Sequence, residues 1–203
     1  MRLRIISGEF KGRLIDAPQT ELTRPTTDRV RESIFNYLAN QISLDEIAVL
    51  DIFSGSGSLG LEALSRGAAS VIFIEKNFVP AKTLSGNISK LGVDAYCTVR
   101  KQSGLAFVKS FSEYKFDLIL ADPPFFSYDI HEIVSAVKTR KLLKPDAPMI
   151  IERSIQTKDR DVKAFGFEPY RQIGDTCLYQ LTGESEVAES SSEEIHSDET
   201  ETT

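Results

Sequence analysis

The run Asp122-Pro123-Pro124-Phe125 places a carboxylate, two prolines and an aromatic ring directly after an apolar stretch at residues 116–121. The apolar stretch predicts a buried strand, and the prolines end it because proline has a fixed φ and no backbone N–H. Residues that precede proline are pushed away from helical conformation, so the run predicts a stiff elbow. Such an elbow could hold a planar amino group, with acceptors at its edge and a ring against its face. A rigid turn without a ligand is the alternative.

A glycine-rich turn at residues 54–60 is the second run that could bind a ligand. The pattern predicts a strand at 47–53 before the turn and a helix at 59–66, closed by Gly67, after it. Glycines in such a turn permit positive φ and let the backbone approach a ligand closely. A structural turn without a ligand is again the alternative.

The spacing of Gly55, Gly57 and Gly60 matches the fingerprint of dinucleotide-binding turns. Glu75 follows 20 residues after Gly55, at the end of a strand predicted at 71–74. An acid at this position is placed to accept hydrogen bonds from a ribose. We expect Gly57 to be the position where a side chain would block the ligand.

Asp51 lies at the end of the predicted strand, four residues before Gly55. Dehydrogenases usually carry an apolar residue there. A carboxylate would repel the pyrophosphate of NAD, whereas it would attract the sulfonium and amino groups of S-adenosylmethionine. The residues therefore favour S-adenosylmethionine over NAD.

Taken together, the order of these motifs resembles the class I methyltransferases. More closely, the chain resembles the RsmD family of bacterial 16S rRNA guanine-N2 methyltransferases, from Arg4 to about Leu181. The resemblance rests on four stretches, of which the first two are the most family-specific: residues 4–13, 23–32, 54–68 and 122–125. The family usually has an Asp where this chain has Ser103, at the position expected near the adenine.

The resemblance implies that S-adenosylmethionine is the cofactor and that small-subunit rRNA is the substrate. We expect the cofactor to be held by the following residues: Asp51, Phe53, Gly55, Gly57, Gly60, Glu75 and Ser103. The catalytic residues are expected to be Asp122, Pro123, Pro124 and Phe125. Acceptors from Asp122 and the Pro123 carbonyl would hold the amino hydrogens of guanine, and Phe125 would stack on the base. Phe126 and Tyr128 either line the mouth of the pocket or are packed loop aromatics.

The formal charge of −6 reflects an acidic tail. Residues 183–203 contain eight of the 30 acidic residues and no Lys or Arg, so the rest of the chain carries 22 acidic and 24 basic residues. The tail is rich in Ser, Glu and Thr and poor in apolar residues, which predicts disorder. We therefore expect three parts: an RNA-binding extension at 1–40, a methyltransferase domain at 41–182 and a disordered tail at 183–203.

The first 31 residues contain seven basic and four acidic side chains. Alternation predicts a hairpin from Arg4 to Ile15, and Thr27 or Asp28 can cap a helix that extends to about Ala39. Basic side chains on such elements suit contact with a phosphate backbone. The residues expected to contact RNA are Arg4, Lys11, Arg13, Arg24 and Arg29. A solvated surface is the alternative.

The rest of the chain alternates predicted strands and helices, which indicates a parallel sheet with helices on both faces. Residues 165–173 and 176–181 are predicted to pair as a terminal hairpin around Gly174-Asp175. The resemblance implies the α/β, Rossmann-like fold of class I methyltransferases, with a seven-stranded, mostly parallel sheet and an antiparallel end.

Several classes of protein do not fit the composition. Cys97 and Cys177 are far apart in sequence, so we expect free thiols and no metal site. No apolar run approaches membrane-spanning length, and no signal peptide is evident. We expect a cytoplasmic monomer that acts on a small-subunit particle or assembly intermediate.

Three other functions remain open from the residues. An N6-adenine DNA methyltransferase would share both motifs but usually carries a separate target-recognition segment. An NAD-dependent oxidoreductase would explain the glycines but gives residues 122–125 no role. A non-catalytic RNA-binding assembly factor would explain the basic extension but not the cofactor motif.

Overall fold

The computed structural model describes residues 2–17 and 27–185. Strands and helices alternate through most of this part of the chain, as the sequence predicts. In chain order the elements are β1 (Arg2–Arg4), β2 (Leu14–Asp16), α1 (Asp28–Leu38), β3 (Ala48–Ile52), α2 (Ser58–Ser65), β4 (Ser70–Ile74), α3 (Phe78–Leu91), β5 (Cys97–Arg100), α4 (Gly104–Ser110), β6 (Leu118–Ala121), α5 (Asp129–Thr139), β7 (Pro148–Ser154), α6 (Lys158–Phe165), β8 (Arg171–Ile173) and β9 (Thr176–Thr182).

Seven strands form the central sheet in the order β5-β4-β3-β6-β7-β9-β8. The first five of these are parallel, and β9 pairs antiparallel with both β7 and β8. This confirms the predicted seven-stranded, mostly parallel sheet with an antiparallel end. The chain moves outward from β3 to β5 on one side and from β6 onward on the other, so β3 and β6 flank the switch point where ligands bind in such sheets.

Two apolar layers cover the two faces of the sheet, because successive side chains in a strand point to opposite faces. Val49 and Leu118 belong to one buried cluster, whereas their neighbours Leu50 and Ile119 belong to the other. All of these side chains are almost fully buried. The sheet is therefore a rigid frame whose carboxyl edge carries the loops.

Helix α1 lies within the first apolar layer, together with residues of β1 and β2. Thr27 caps the helix, and its hydroxyl oxygen accepts a hydrogen bond from the Val30 N–H at 3.3 Å. The predicted apolar stripe of Val30, Ile34, Phe35 and Leu38 is buried. The predicted helix is confirmed, and its stripe joins the N-terminal segment to the sheet.

The N-terminal hairpin is confirmed, but its ladder lies further out than predicted. Arg2–Arg4 pairs with Leu14–Asp16, and residues 5–13 form the connection between them. The connection rests on helix α2: both oxygens of the buried Glu62 accept backbone N–H groups, from Ile6 at 2.7 Å and from Ser7 at 3.0 Å. These bonds fix the hairpin against the helix that follows the glycine turn.

The C-terminal region corrects one prediction. The sequence pattern predicts a strand over 165–173, but Phe165 ends helix α6 and the strand β8 comprises only Arg171–Ile173. Helix α6 escapes sequence patterning because most of its eight residues are charged or small. Gly166, with φ of 82°, ends the helix in the left-handed conformation that glycine adopts readily.

In the described residues, no helix combines the length and apolar character needed to cross a bilayer. The same residues contain no group of three or more His, Cys, Asp or Glu side chains that could hold a metal ion. Arg24 and nearly all of the acidic tail lie outside the described residues.

A candidate cofactor and substrate cavity at the carboxyl edge of the sheet

A cavity of about 310 Å³ lies at the carboxyl ends of the parallel strands, at the switch point between β3 and β6. Its walls come from the segments that follow β3, β4, β5 and β6. Residues from each segment line it, together with Ala17: Phe53, Ser54, Gly55, Ser56, Ser58, Ile74, Glu75, Lys76, Asn77, Pro80, Gln102, Ser103, Gly104, Asp122, Pro123, Pro124, Phe125, Ser127 and Asp129. The sheet thus brings together motifs that lie about 70 residues apart in sequence.

The glycine turn enters the cavity through Phe53 and Gly55, whose φ angles are +63° and +55°. A Cβ on Gly55 would meet only the Phe53 carbonyl oxygen, at 3.9 Å. The turn is fixed from behind, because the Ser54 N–H donates to the Ile74 carbonyl at 3.1 Å and the Ser54 hydroxyl to the Asp51 carbonyl at 2.7 Å. A ligand in the cavity can therefore approach the backbone of Gly55 closely.

Gly57 and Gly60 serve packing rather than the cavity, which neither of them lines. A Cβ on Gly57 would approach Leu84 Cδ1 to 2.4 Å, and one on Gly60 would approach Phe73 Cε1 to 2.4 Å. Gly57 also has φ of +84°. A side chain at Gly57 would meet Leu61 of α2 and Leu84 of α3 in the core.

Glu75 lines the cavity and is 7% exposed. Its carboxylate accepts two backbone N–H groups, from Gly55 at 3.1 Å and from Asn77 at 2.7 Å. One bond is made by each oxygen, so each oxygen keeps a second lone pair. The acid thus ties the glycine turn to the start of α3 and still offers acceptors to a ligand.

Asp51 does not line the cavity. Its side chain is buried at the end of β3, and its Oδ2 accepts the Gly60 N–H at 3.0 Å. Burial raises the pKa of Asp51 to about 8, and the nearby charges of Asp122 and Glu75 act in the same direction. Asp51 therefore holds helix α2 and shares an electrostatic environment with the two cavity acids.

Ser103 lies on the cavity wall beside Gln102, where the resembled family usually has Asp. Its hydroxyl oxygen caps helix α4 by accepting the Ala106 N–H at 3.2 Å. The position therefore offers a hydroxyl and an amide to a ligand, without a carboxylate.

The elbow at 122–125 follows β6 and contributes four consecutive residues to the cavity wall. Pro123 is buried, Asp122 is half-buried and Phe125 is 41% exposed. The Pro124 carbonyl accepts the Ser127 N–H at 2.9 Å, which closes a turn after the prolines. The predicted stiff elbow is present, with its carboxylate at the cavity and its ring at the surface.

A buried polar cluster behind the elbow has no counterpart in the sequence analysis. Arg153 Nε donates to Asp161 Oδ2 at 2.9 Å, and Arg153 Nη1 lies 3.4 Å from the Pro124 carbonyl oxygen. Asp161 also accepts the Thr157 hydroxyl at 2.6 Å and lies 2.7 Å from His131 Nε2. Arg153 and Asp161 follow an apolar strand within a charged segment, and this is the only sequence signal for them.

Arg4, Lys11, Arg13 and Arg29 are the described basic residues that were expected to contact RNA, and all four are exposed. Arg13 donates to the carbonyls of Lys90, at 2.5 Å, and Leu91, at 3.2 Å, and so caps the last turn of α3. Part of the basic character of the N-terminal segment therefore stabilises the fold.

Asn87 on α3 connects this N-terminal segment to the cavity. Its Nδ2 donates to the carbonyls of Asp16, at 2.8 Å, and Ser56, at 2.9 Å, while its Oδ1 accepts the Asp16 N–H at 2.8 Å. The next residue, Ala17, lines the cavity. One buried amide thus joins β2 to the glycine turn.

Comparison with known proteins places these features in a family. A family model described as "Conserved hypothetical protein 95" matches residues 3–181. The chain is 39% identical over 152 residues to "Ribosomal RNA small subunit methyltransferase D" of Haemophilus influenzae, covering 74% of this chain and 78% of the relative. It is 33% identical over 188 residues to "Putative rRNA methyltransferase YlbH" of Bacillus subtilis, covering 89% of this chain and 96% of the relative.

A solved structure, "Putative methyltransferase yhhF from Escherichia coli", superposes on this fold with a TM-score of 0.75 at 27% identity. The superposition covers 92% of this chain and 100% of the other.

Proposed function

The chain belongs to the family described as conserved hypothetical protein 95, whose members include proteins named ribosomal RNA small subunit methyltransferase D, and from this premise we propose that it is an rRNA methyltransferase. More finely, it transfers a methyl group from S-adenosylmethionine to the exocyclic N2 of a guanine in 16S rRNA. One observation carries the proposal: Glu75 and the elbow at 122–125 line the same cavity. The residues proposed to bind the methyl donor and those proposed to hold the target base therefore share one cavity.

The cavity walls fit S-adenosylmethionine. Glu75 offers free lone pairs to ribose hydroxyls, and the open side of Gly55 allows the ligand to lie against the backbone. Phe53 and Pro80 offer apolar surface to the adenine. Three acids and one base, Lys76, line the cavity, which suits a cationic ligand better than a pyrophosphate. When bound, S-adenosylmethionine supplies an electrophilic methyl group.

The elbow supplies the acceptor chemistry. The N2 lone pair of guanine is delocalised into the ring, so the amino group is a poor nucleophile. Asp122 and the Pro123 carbonyl accept hydrogen bonds from its two N–H groups and favour a lone pair directed at the methyl group. N2 loses one proton when it is methylated, and the Asp122 carboxylate accepts that proton, while S-adenosylhomocysteine is the leaving group. The partly exposed ring of Phe125 stacks on the base, which must leave its helix if it is paired. Catalysis in this scheme is mostly positioning and electrostatics.

Substitution of Asp122 tests the proposal, and substitution of Asp117, a carboxylate at the other end of β6, is the matched control. Asp122 follows β6, whereas Asp117 precedes it and accepts the Ala48 N–H at 3.0 Å and Lys144 Nζ at 2.7 Å. We expect Asp122→Ala to reduce turnover by about 10²–10³-fold, the range for loss of one preorganised transition-state contact, with S-adenosylmethionine binding retained. Asp117→Ala should lower stability and leave turnover near that of the wild type.

The assay offers radiolabelled S-adenosylmethionine with 16S rRNA, both naked and in small-subunit particles, and then maps the labelled base. We expect label at a guanine N2, with the particle preferred over naked RNA. Glu75→Ala should weaken S-adenosylmethionine binding by about 1.5–3 kcal/mol for each charge-assisted bond lost. Label on adenine N6, near-normal turnover by Asp122→Ala, or tight NAD binding in calorimetry would contradict the proposal.

A further inference from the structure

Three exposed aromatic rings lie beside residues that line the cavity. Phe78 and Phe126 are 67% and 68% exposed, and Tyr128 is 38% exposed. Each ring is adjacent in sequence to a residue that lines the cavity: Phe78 to Asn77, and the other two to Ser127. Apolar side chains grouped on a surface mark interaction sites more often than isolated ones do. These rings belong to segments after β4 and β6, so they flank the cavity at the carboxyl edge.

Two of the rings carry a cation. Lys101 Nζ lies 5.5 Å from the centroid of the Phe78 ring, and Arg160 Cζ lies 5.3 Å from the centroid of the Tyr128 ring. Arg160 Nη1 also donates to the Tyr128 hydroxyl at 2.8 Å. We name Phe78, Lys101, Phe126, Tyr128 and Arg160 the aromatic rim.

We propose that the aromatic rim binds the unpaired nucleotides that flank the target base. This inference rests on the proposed function and identifies the RNA surface of the same site. Exposed rings stack on bases of any sequence, and neighbouring cations meet the phosphates. A folded duplex hides its base faces, so a surface of this composition selects single-stranded RNA. The requirement that the target guanine leave its stack provides such nucleotides next to the cavity.

The rim is better suited to bind these nucleotides than the N-terminal segment alone, because two arginines of that segment are engaged within the fold. Arg13 is engaged in capping α3, and Arg31 is buried with its Nη2 donating to the Arg4 carbonyl at 2.6 Å. Lys76 lines the cavity and Arg100 is exposed at the end of β5, so both add positive charge on the Phe78 side. On the Tyr128 side, Asp129 and Glu132 lie in the first turn of α5, and Asp159 precedes Arg160 in sequence. Phosphates are therefore expected to follow the Phe78 side more closely.

Binding measurements test the rim with a fluorescein-labelled single-stranded RNA of mixed sequence and a duplex of the same sequence. We expect Phe78→Ala and Phe126→Ala each to weaken single-strand binding about 5- to 150-fold, the fold-change for loss of one base–aromatic stack. Lys101→Ala should lower the log–log salt slope by about 0.7. Tyr96→Ala is the control, because Tyr96 is 56% exposed but precedes β5, at the opposite edge of the sheet.

Tryptophan fluorescence reports contact between RNA and the rim without relying on the measured affinity. The chain has no Trp, so Phe126→Trp and Tyr96→Trp each introduce a sole reporter. Single-stranded RNA should quench the fluorescence of the first variant and leave that of the second unchanged. All rim side chains are exposed, and far-UV circular dichroism verifies that each variant is folded.

The inference is overturned if Phe78→Ala and Phe126→Ala bind single-stranded RNA as tightly as Tyr96→Ala does, or if the reporter at 126 is not quenched. Equal losses for the single strand and the duplex would also overturn it, because stacking requires unpaired bases. The binding assays contain no methyl donor, so they are separate from the proposed reaction. A wild-type protein that binds RNA through the rim but methylates no rRNA would refute the proposed function and leave the rim intact.

Discussion

Three acids lie at the carboxyl ends of three neighbouring parallel strands, and each has a different environment. Glu75 and Asp122 line the cavity, whereas Asp51 is buried against helix α2. Charge on either cavity acid raises the pKa of Asp51 further, after burial as the main cause. At the scale of single residues, the site therefore accumulates negative charge that a cationic ligand would relieve.

Asp51→Asn should change how stability depends on pH. The pKa of Asp51 is raised from 3.8 to about 8, so the folded protein holds this proton more tightly than the unfolded chain does. The resulting stability is fully present below pH 3.8 and is lost as pH rises towards 8. The variant should therefore gain on the wild type by at most about 1.4 kcal/mol per pH unit within this window.

Urea unfolding at several pH values between 4 and 8 measures the difference between Asp51→Asn and wild type. The Asn side chain keeps an oxygen that can accept the Gly60 N–H. The two proteins therefore differ mainly in whether the side chain at position 51 can bind a proton. A difference that stays constant across the window would show that Asp51 titrates as an exposed carboxyl does.

The N-terminal hairpin is held to helix α2 by a close contact of backbones. A Cβ on Gly8 would approach the Ser65 carbonyl oxygen to 1.6 Å, whereas a Cβ on Gly12 would meet nothing within 4 Å. Both glycines have nearly the same left-handed φ, +82° and +84°. At the scale of elements, substitutions at these two positions therefore distinguish the cost of backbone strain from the cost of displacing the hairpin from α2.

Gly8→Ala should destabilise the protein more than Gly12→Ala does, by about 1–3 kcal/mol, the usual cost of overpacking. Both variants carry the same strain of a left-handed non-glycine residue, so the difference measures the displaced hairpin. Denaturant unfolding monitored by circular dichroism gives both values. Equal losses would show that the hairpin does not depend on this contact.

Strand β7 and helix α6 support the elbow through Arg153, which reaches both Asp161 and the Pro124 carbonyl. A Lys at this position has a single nitrogen and cannot span both acceptors. We expect Arg153→Lys to lower kcat about 10-fold or more, because misplacement of a reacting group is costly, while KM for S-adenosylmethionine hardly changes.

Arg140→Lys is the control for Arg153→Lys, since Arg140 also donates to a backbone carbonyl, that of Phe111 at 3.1 Å, away from the cavity. Steady-state kinetics and thermal unfolding on both variants separate stability from positioning. If both variants lose only stability, or if KM changes while kcat does not, Arg153 does not position the elbow.

At the scale of the whole molecule, the described N-terminal residues share one of the two apolar layers with the sheet. Leu3, Ile15 and Phe35 from the N-terminal segment belong to the same buried cluster as Val49 and Leu118 of the sheet. We therefore propose that the boundary expected at residue 40 separates roles rather than folding units. We propose that the first 40 residues cannot be removed without exposing this face of the sheet.

Thermal unfolding of the full chain should accordingly show one transition. Far-UV circular dichroism and calorimetry should give the same midpoint, and the calorimetric and van't Hoff enthalpies should agree. Two separated transitions would show that the N-terminal segment is an independent domain.

The sequence by itself determined most of the elements up to β7, the parallel character of the sheet and the segments that meet at its carboxyl edge. These follow from local rules: apolar period, glycine turns and proline breaks act within a few residues. The strand at 47–53, the glycine turn and the elbow after residue 121 were all predictable because each signal lies within one short stretch.

Only the tertiary structure decided which face each side chain presents and what it contacts. A Cβ on Gly57 would meet Leu84, Arg13 caps α3, and Arg153 reaches the Pro124 carbonyl, each across 27 or more residues of sequence. Asp51 was expected to contact the cofactor, and the structure buries it against α2, because its environment is set by how α2 packs on β3 and β4. Burial and long-range hydrogen bonds arise from packing, which a local pattern does not encode.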